Sequence, residues 1–289
     1  MGERRVLVAG CGSVGSRIAE DLARSGVRHF VLVDPDEVSL PNMARSVYAR
    51  ADVGRAKVAV LAERLRGIAP ETEVSTTRRF LREITPEDIL DGVDLVVLAT
   101  DDMTEQAALA KAAYEKRIVQ VAAAMYRKAA AGEVMIAVSE ARTPCWACAV
   151  GTSALSTSER PDTNYGVDGR LVAESGLGAS INLVTSVASL LAIGLLAGPG
   201  SPAGAGLGRM LAESRVLGLI STTPDWGFFP DVFHDMAHQF QPQSVWPKVE
   251  SVKGCPVCSK EEVEDVLEGE VMTVEELLRT VEEEVGAAS

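Results

Sequence analysis

Two groups of residues in this chain have the types and spacing to do chemistry. The first is a pair of Cys-x-x-Cys turns, Cys145-Trp146-Ala147-Cys148 and Cys255-Pro256-Val257-Cys258. Each turn brings two thiolates together, and four such sulfurs satisfy tetrahedral Zn²⁺ with no position left for substrate, so the metal would be structural. Two separate redox pairs are the competing chemistry. Against them, Pro144 and Pro256 suit rigid metal turns, and neither pair is expected to follow a strand and open a helix as in a thioredoxin. The second group is the turn Gly10-Cys11-Gly12-Ser13-Val14-Gly15. Its glycines let the backbone approach a phosphate, and the fifth cysteine, Cys11, reads as a small buried filler within it.

A lone Gly-x-Gly-x-x-Gly is a weak signal. Here it follows a predicted strand, opens a predicted helix and is followed by an acid, Asp34, at the end of the second strand, placed to accept ribose hydroxyl protons. On that ground alone a nicotinamide-dependent dehydrogenase is the commonest owner. The next residues argue otherwise. Pro35-Asp36-Glu37-Val38-Ser39-Leu40-Pro41-Asn42-Met43-Ala44-Arg45 and Gly54-Arg55-Ala56-Lys57 gather an amide, a guanidinium and an ammonium, which a dehydrogenase does not need. A triphosphate attacked at its α-phosphorus needs them, because charge builds on its oxygens. Asp101, after an apolar strand, suits Mg²⁺, which takes carboxylate and phosphate oxygens together. The plainer readings are solvated surface charges for Arg45 and Lys57 and a helix cap for Asp101. Each would prevail singly; the joint order favours the nucleotide.

The elements that must position these residues alternate strand and helix. Strands are predicted over 5–9, 30–33, 73–78, 94–100 and near 118–122, and helices over 16–25, 57–68 and 103–116. The run Asp94-Leu95-Val96-Val97-Leu98-Ala99-Thr100 has the continuous apolar character of a buried parallel strand. The fold class is therefore α/β, a Rossmann-like mostly parallel sheet with helices on both faces, extended by a zinc-knotted C-terminal half. In such sheets ligands sit beyond the carboxyl ends of the strands, where Gly10 to Gly15, Asp34 and Asp101 should converge.

Composition sets limits. The chain has 289 residues, 47% hydrophobic and 24% charged, which suits a soluble globular protein with one large core or two modest ones. A net charge of −13 disfavours a nucleic-acid partner, which relies on surplus Lys and Arg. The apolar run 181–197 carries Asn182, Thr185, Ser186 and Ser189 and is barely long enough to span a bilayer, so it reads as a packing helix. With no cleavable leader ahead of the first strand, and with cysteines paired for metal, a cytoplasmic location is expected.

The ordered set of Gly-rich turn, Asp-x-Asp-x-Val-x-x-x-Asn-x-x-Arg, Gly-x-x-Lys, Thr-Asp after an apolar strand and two cysteine pairs resembles the ubiquitin-activating enzymes and their bacterial ThiF/MoeB/HesA relatives, over about residues 5–258. The resemblance implies that Asp34 holds the ribose, that Asn42, Arg45 and Lys57 hold the phosphates, and that Asp101 holds Mg²⁺. Gly10, Gly12, Ser13, Gly15 and Asp36 complete the nucleotide set, with Arg45, Lys57 and Asp101 as catalytic residues and Cys145, Cys148, Cys255 and Cys258 as zinc ligands. The implied reaction is adenylation by ATP of the C-terminal glycine of a ubiquitin-like protein, giving an acyl-adenylate and pyrophosphate. The acyl group then passes to an acceptor such as a conjugating enzyme or sulfurtransferase. The helix 181–197 matches one that packs at a dimer interface in the family, so a homodimer or heterodimer is implied.

Departures from the family pattern shape the expectation. Ahead of Ala173-Glu174-Ser175-Gly176, where many relatives carry an acyl-trapping cysteine, stands Val172, so no thioester is expected on this chain. Ser153, Ser156, Thr157 and Ser158 lack an evident activating base and read as linker. Only Arg4 and Arg5 precede the first strand, where the family has a helix lending an arginine to the partner's ATP. Asp101-Asp102 replaces Asp-Asn, and Gln106 replaces an arginine. The resulting organisation is a nucleotide-binding half over 1–150, then a second part of the same domain over 151–258 and an acidic helical tail over 259–289. Within the second part, 198–206 reads as a flexible loop, and 224–240 as an aromatic insert whose His234 and His238 lack a third metal ligand. An adenylating enzyme and a non-catalytic nucleotide-binding scaffold of a heterodimer both remain compatible with the sequence.

Overall fold

The computed structural model describes residues 1–126, 129–150, 177–223 and 243–259. The 151–170 linker serines and threonine, Val172 with the 173–176 stretch, the 224–240 insert with its histidines, and the 260–289 tail lie outside the described residues.

Strands β1 (Arg5–Ala9), β2 (His29–Val33), β3 (Glu73–Thr77), β4 (Leu95–Leu98), β5 (Val119–Met125), β6 (Ala131–Ala137), β7 (Leu217–Ser221) and β8 (Gln243–Val245) form one sheet in the order β3-β2-β1-β4-β5-β6-β7-β8. The first five are parallel to their neighbours and the last three continue antiparallel. β4 is buried throughout and β1 from Val6 onward, which is why both read as unbroken apolar runs rather than as alternation. The chain leaves β1 toward β2 on one side and reaches β4 on the other, so the carboxyl ends of β1 and β4 part around a switch-point crevice.

Helices α1 (Gly15–Arg24), α2 (Lys57–Ile68) and α6 (Gly178–Ala197) cover one face, with Val6, Val8, Ile18, Leu22, Leu61 and Val184 in a common core. Helices α3 (Pro86–Leu90), α4 (Met103–Glu115) and α5 (Trp146–Val150) cover the other, around Leu7, Val96, Leu98, Leu109 and Trp146. The long apolar helix α6 buries Val184, Ala188, Ala192 and Leu196 inside the first of these cores. A Cβ on Gly132 of β6 would come within 2.8 Å of Val184, so glycine sets the close approach of sheet and helix.

Two expectations change. The glycine-rich stretch 198–206 is a packed turn before α7 (Leu207–Ala212): Gly204 N–H donates to Ser201 O, and a Cβ on Gly194 would come within 2.4 Å of Ala203 O. Its glycines serve close packing as well as conformational freedom. The first cysteine pair is not a bare turn, because Cys148 lies within α5, with Ala149 N–H donating to Cys145 O. It therefore does sit at a helix start, after β6, contrary to the expectation from sequence.

Candidate nucleotide crevice and four-cysteine knot

The crevice begins where β1 ends. Gly10 has φ of +90°, and a Cβ there would lie 2.4 Å from Ala99 O of the chain leaving β4; a Cβ on Gly15 would run into Gly10 O. These two glycines pack the turn against its surroundings. Gly12 differs, since a Cβ there would meet nothing within 4 Å. The turn thus presents an open backbone face. Behind it α1 starts without any side-chain cap from Val14 and with no acid in its first turn; Ser16 N–H donates to Gly12 O at 3.2 Å, and the helix end keeps its positive dipole toward an anion.

Asp34 is almost fully buried at the end of β2, and its Oδ2 accepts from Cys11 N–H at 2.7 Å while Oδ1 accepts from Asp36 N–H at 2.9 Å. Lys57, the first residue of α2, donates from Nζ to Asp36 Oδ2 at 2.8 Å and lies 3.8 Å from Asp34 Oδ1. Burial pushes the Asp34 carboxyl above its ordinary pKa, with Lys57 pulling against it. For Lys57 burial works downward, but Asp34 and then Asp36 outweigh it and hold the ammonium above its usual range. Tyr48 closes this cluster from beneath: its buried hydroxyl donates to Cys11 O, with Lys57 O at 3.4 Å. Cys11 is fully buried, the small filler expected, and burial followed by Asp34 pushes its thiol well up.

Asn42 and Arg45 lie on the connection between β2 and α2. Asn42 Oδ1 accepts from Ser39 N–H at 2.8 Å and from Ser39 Oγ at 3.1 Å, closing a 3-10 turn over Leu40–Asn42. Arg45 N–H donates to Asn42 O, and Arg17 of α1 donates from Nε to Arg45 O at 3.2 Å, which ties this connection to the helix behind the Gly-rich turn. The Nε of Arg45 is buried without a hydrogen-bond partner among the described residues. An orphaned guanidinium donor of this kind fits an absent anion.

Asp101 and Asp102 have separate roles. Asp102 caps α4, its Oδ1 accepting from Thr104 N–H at 2.9 Å and Glu105 N–H at 3.0 Å. Asp101 is exposed just past β4 and makes no hydrogen bond or ion pair among the described residues, so it is the uncommitted carboxylate. Gln106, in place of the expected arginine, is buried; with its amide turned to satisfy both ends, it donates to Thr100 O at 3.3 Å and accepts from Trp146 Nε1 at 3.0 Å. The structure therefore brings the turn, Asp34, Asp36 and Lys57 into one hydrogen-bonded cluster, ties Asn42 and Arg45 to it through α1, and packs Ala99 and Thr100, which lead to Asp101, against Gly10. Sequence reasoning missed Tyr48 and Arg17. No motif marks either one, although an aromatic inside an otherwise polar connection is a faint signal for Tyr48.

On the far side of α4 the four cysteines meet. Sγ of Cys145 lies 3.7 Å from that of Cys148 and 3.6 Å from that of Cys255, and Cys148 Sγ lies 3.5 Å from Cys258 Sγ. All four sulfurs lie within 4.8 Å of one another. Sulfurs held about 2.3 Å from a tetrahedral Zn²⁺ stand roughly 3.8 Å apart, so the donor set and spacing fit that ion. Burial pushes the Cys145 and Cys148 thiols up, whereas Cys255, against burial, is lowered to about 7 by hydrogen bonds from the Val257 and Cys258 backbone and from the neighbouring cysteines.

Fold and crevice together define a Rossmann-type nucleotide-binding protein with a four-cysteine knot. The chain belongs to the ThiF family, whose profile matches residues 1–214. It is similar to the tRNA threonylcarbamoyladenosine dehydratase of Bacillus subtilis, 40% identical over 115 residues that cover 39% of this chain and 45% of that protein. It also resembles the molybdopterin-synthase adenylyltransferase of Escherichia coli, 28% identical over 203 residues covering 70% of this chain and 76% of that protein. A third relative is ubiquitin-like modifier-activating enzyme 5 of Caenorhabditis elegans, 29% identical over 157 residues covering 50% of this chain and 37% of that protein. The chain spans less than half the length of the dehydratases it matches. Among solved structures, Escherichia coli MccB with ATP has the same fold, with a TM-score of 0.60 at 17% identity, covering 89% of this chain and 67% of that one.

Proposed function

We propose that this chain binds ATP in the crevice and adenylates a carboxylate, that of the C-terminal glycine of a ubiquitin-like protein. The observation that carries the reading is the buried Nε of Arg45, without a partner among the described residues, on a connection tied by Arg17 to α1 and its open Gly12 turn. A buried guanidinium donor with no acceptor among the described residues calls for an anion, which a nucleotide phosphate would supply.

In this reading the N–H groups of the Gly-rich turn and the guanidinium of Arg45 face the phosphates. Asn42 and the Lys57 ammonium stand behind them, and Asp34, already accepting two backbone N–H groups, takes the ribose hydroxyls. Asp101 holds Mg²⁺, which would screen the charge of the phosphate oxygens. A carboxylate oxygen attacks the α-phosphorus, the bond from that phosphorus to the bridging oxygen breaks, and pyrophosphate leaves with the electron pair. The acyl-adenylate then awaits an acceptor. Catalysis here is positioning and charge stabilisation, and no side chain needs to form a covalent bond. The four cysteines hold one Zn²⁺ as a structural knot.

The similarity to tRNA-acting dehydratases points to a carboxylate borne on tRNA as a second substrate class, while a net charge of −13 favours a protein. ATP–pyrophosphate exchange discriminates. Exchange that depends on a ubiquitin-like protein ending in glycine and disappears in Asp101→Ala supports the proposal. Exchange with modified tRNA alone replaces the substrate, and nucleotide binding without exchange on either leaves the scaffold reading in place.

A further inference from the structure

Arg17 is a half-buried guanidinium in the first turns of α1 that the adenylation reading leaves without a task. The nearby carboxylates on its own helix are engaged elsewhere. Glu20 Oε1 accepts from Arg64 Nε at 2.6 Å, and Asp21 Oδ2 accepts from Ser189 Oγ at 2.8 Å. Among the described residues, the Arg17 side chain makes one hydrogen bond, from Nε to the main-chain oxygen of Arg45. Burial lowers its pKa, with Glu20 and Asp21 acting against that, so the fold carries a cost to keep a charged group here.

The contact joins three elements. A Cβ on Gly178, the first residue of α6, would lie 2.9 Å from Ala44 O and 3.6 Å from Arg17 Nη2, so the Ala44–Arg45 backbone is wedged between α1 and the start of α6. Arg45 is fixed from its own side by its N–H bond to Asn42 O. Among the described residues, its carbonyl is held only from α1. Because α1 also carries the Gly-rich turn at its N-terminus, the Arg17 bond sets where the Arg45 guanidinium stands relative to the N–H groups of that turn.

We propose that Arg17 is a positioning residue for Arg45: its Nε–H holds the Arg45 carbonyl, and through it the phosphate-facing guanidinium, in register with the Gly-rich turn. This rests on the nucleotide reading given above. The role needs a donor at Nε and does not need a charge.

Substitution separates those two requirements. The Nε2 of glutamine stands the same number of bonds from the backbone as the Nε of arginine, so Arg17→Gln keeps the donor without the charge; Arg17→Met keeps the length without the donor. Binding of Mg²⁺ and α,β-methylene-ATP is measured by calorimetry on the full chain, alone and in an Arg45→Ala background. The expected result is about tenfold weaker binding in R17M, R17Q within about twofold of the wild type, and no further loss when R17M is added to Arg45→Ala. Equal losses in R17Q and R17M would make Arg17 a charge on the ligand and overturn the proposal, as would unchanged binding in R17M or additive losses with Arg45→Ala. If R17M does not fold, Arg17→Ala replaces it, since alanine suits a helix and has no donor. Wild-type affinity in that variant overturns the proposal. A wild-type chain that binds no nucleotide removes the adenylation reading itself, and the role of Arg17 with it.

Discussion

The ammonium of Lys57 lies 2.8 Å from Asp36 Oδ2, and the same ammonium faces the buried Asp34 at 3.8 Å. One cation thus neutralises two acids at the end of β2. Removing it leaves Asp34 buried and ionised. Lys57→Met is expected to lower stability by about 3 kcal/mol at pH 7.

The pH dependence of that loss follows from the directions of the shifts. Asp34 binds its proton more tightly folded than unfolded, so stability due to this group rises as pH falls toward its folded value. A protonated Asp34 needs no cation, so the penalty of Lys57→Met shrinks as pH falls from 7 toward the raised Asp34 value. Lys57 in turn is raised above 10.5, so its own contribution is complete below that value and is lost as pH climbs through its folded pKa. Urea unfolding of both proteins across the acid range tests this, and a loss that stays the same at every pH down to the ordinary carboxylate range would contradict it.

Gly10→Ala and Gly12→Ala should fail in different ways. At Gly10 a positive φ and a Cβ 2.4 Å from Ala99 O together cost about 3 kcal/mol, read by urea denaturation. At Gly12 the Cβ projects into open space, so that variant keeps its stability and loses nucleotide affinity by calorimetry.

The adjacent acids Asp101 and Asp102 should also part company. Asp102→Ala removes the α4 cap, costs about 1 kcal/mol of stability and leaves pyrophosphate exchange in place. Asp101→Ala keeps the melting temperature and abolishes exchange. A stable but active Asp101→Ala protein would remove the metal-binding role of that residue.

Metal analysis of the purified protein should find one zinc per chain. Cys255→Ser should lose it and lower the melting temperature by several degrees, since a buried four-sulfur cluster without its cation is a poor substitute for the metal-bound knot. Retention of full zinc content in that variant would rule out a four-thiolate site.

The first half of the fold was legible because its signals are local. Helix α2 begins and ends at the residues predicted, Lys57 and Ile68, and β1 spans Arg5–Ala9 as read from its apolar run. Strands β6, β7 and β8 were not seen. β6 mixes Ala131, Gly132 and Glu133 into its apolar run, β7 contains Gly218 pressed against Trp246, and β8 is three residues long, so none shows a period. At the crevice, motif residues were found and their supports were not. Asp34 and Lys57 belong to recognisable spacings, whereas the bonds from Arg17 to Arg45 O and from Tyr48 to Cys11 O end on main-chain oxygens, which any residue type supplies.

The meeting of Cys145 with Cys255 and of Cys148 with Cys258 pins both ends of the 106 residues between the pairs. For a tethered segment the entropic penalty grows only as the logarithm of its length, each doubling adding about 0.6 kcal/mol. Evolution can therefore lengthen, shorten or exchange the parts of that segment outside the sheet and α6 at little thermodynamic expense, leaving the crevice at the ends of β1 and β4 undisturbed. That freedom makes it the natural place for new client specificity to arise.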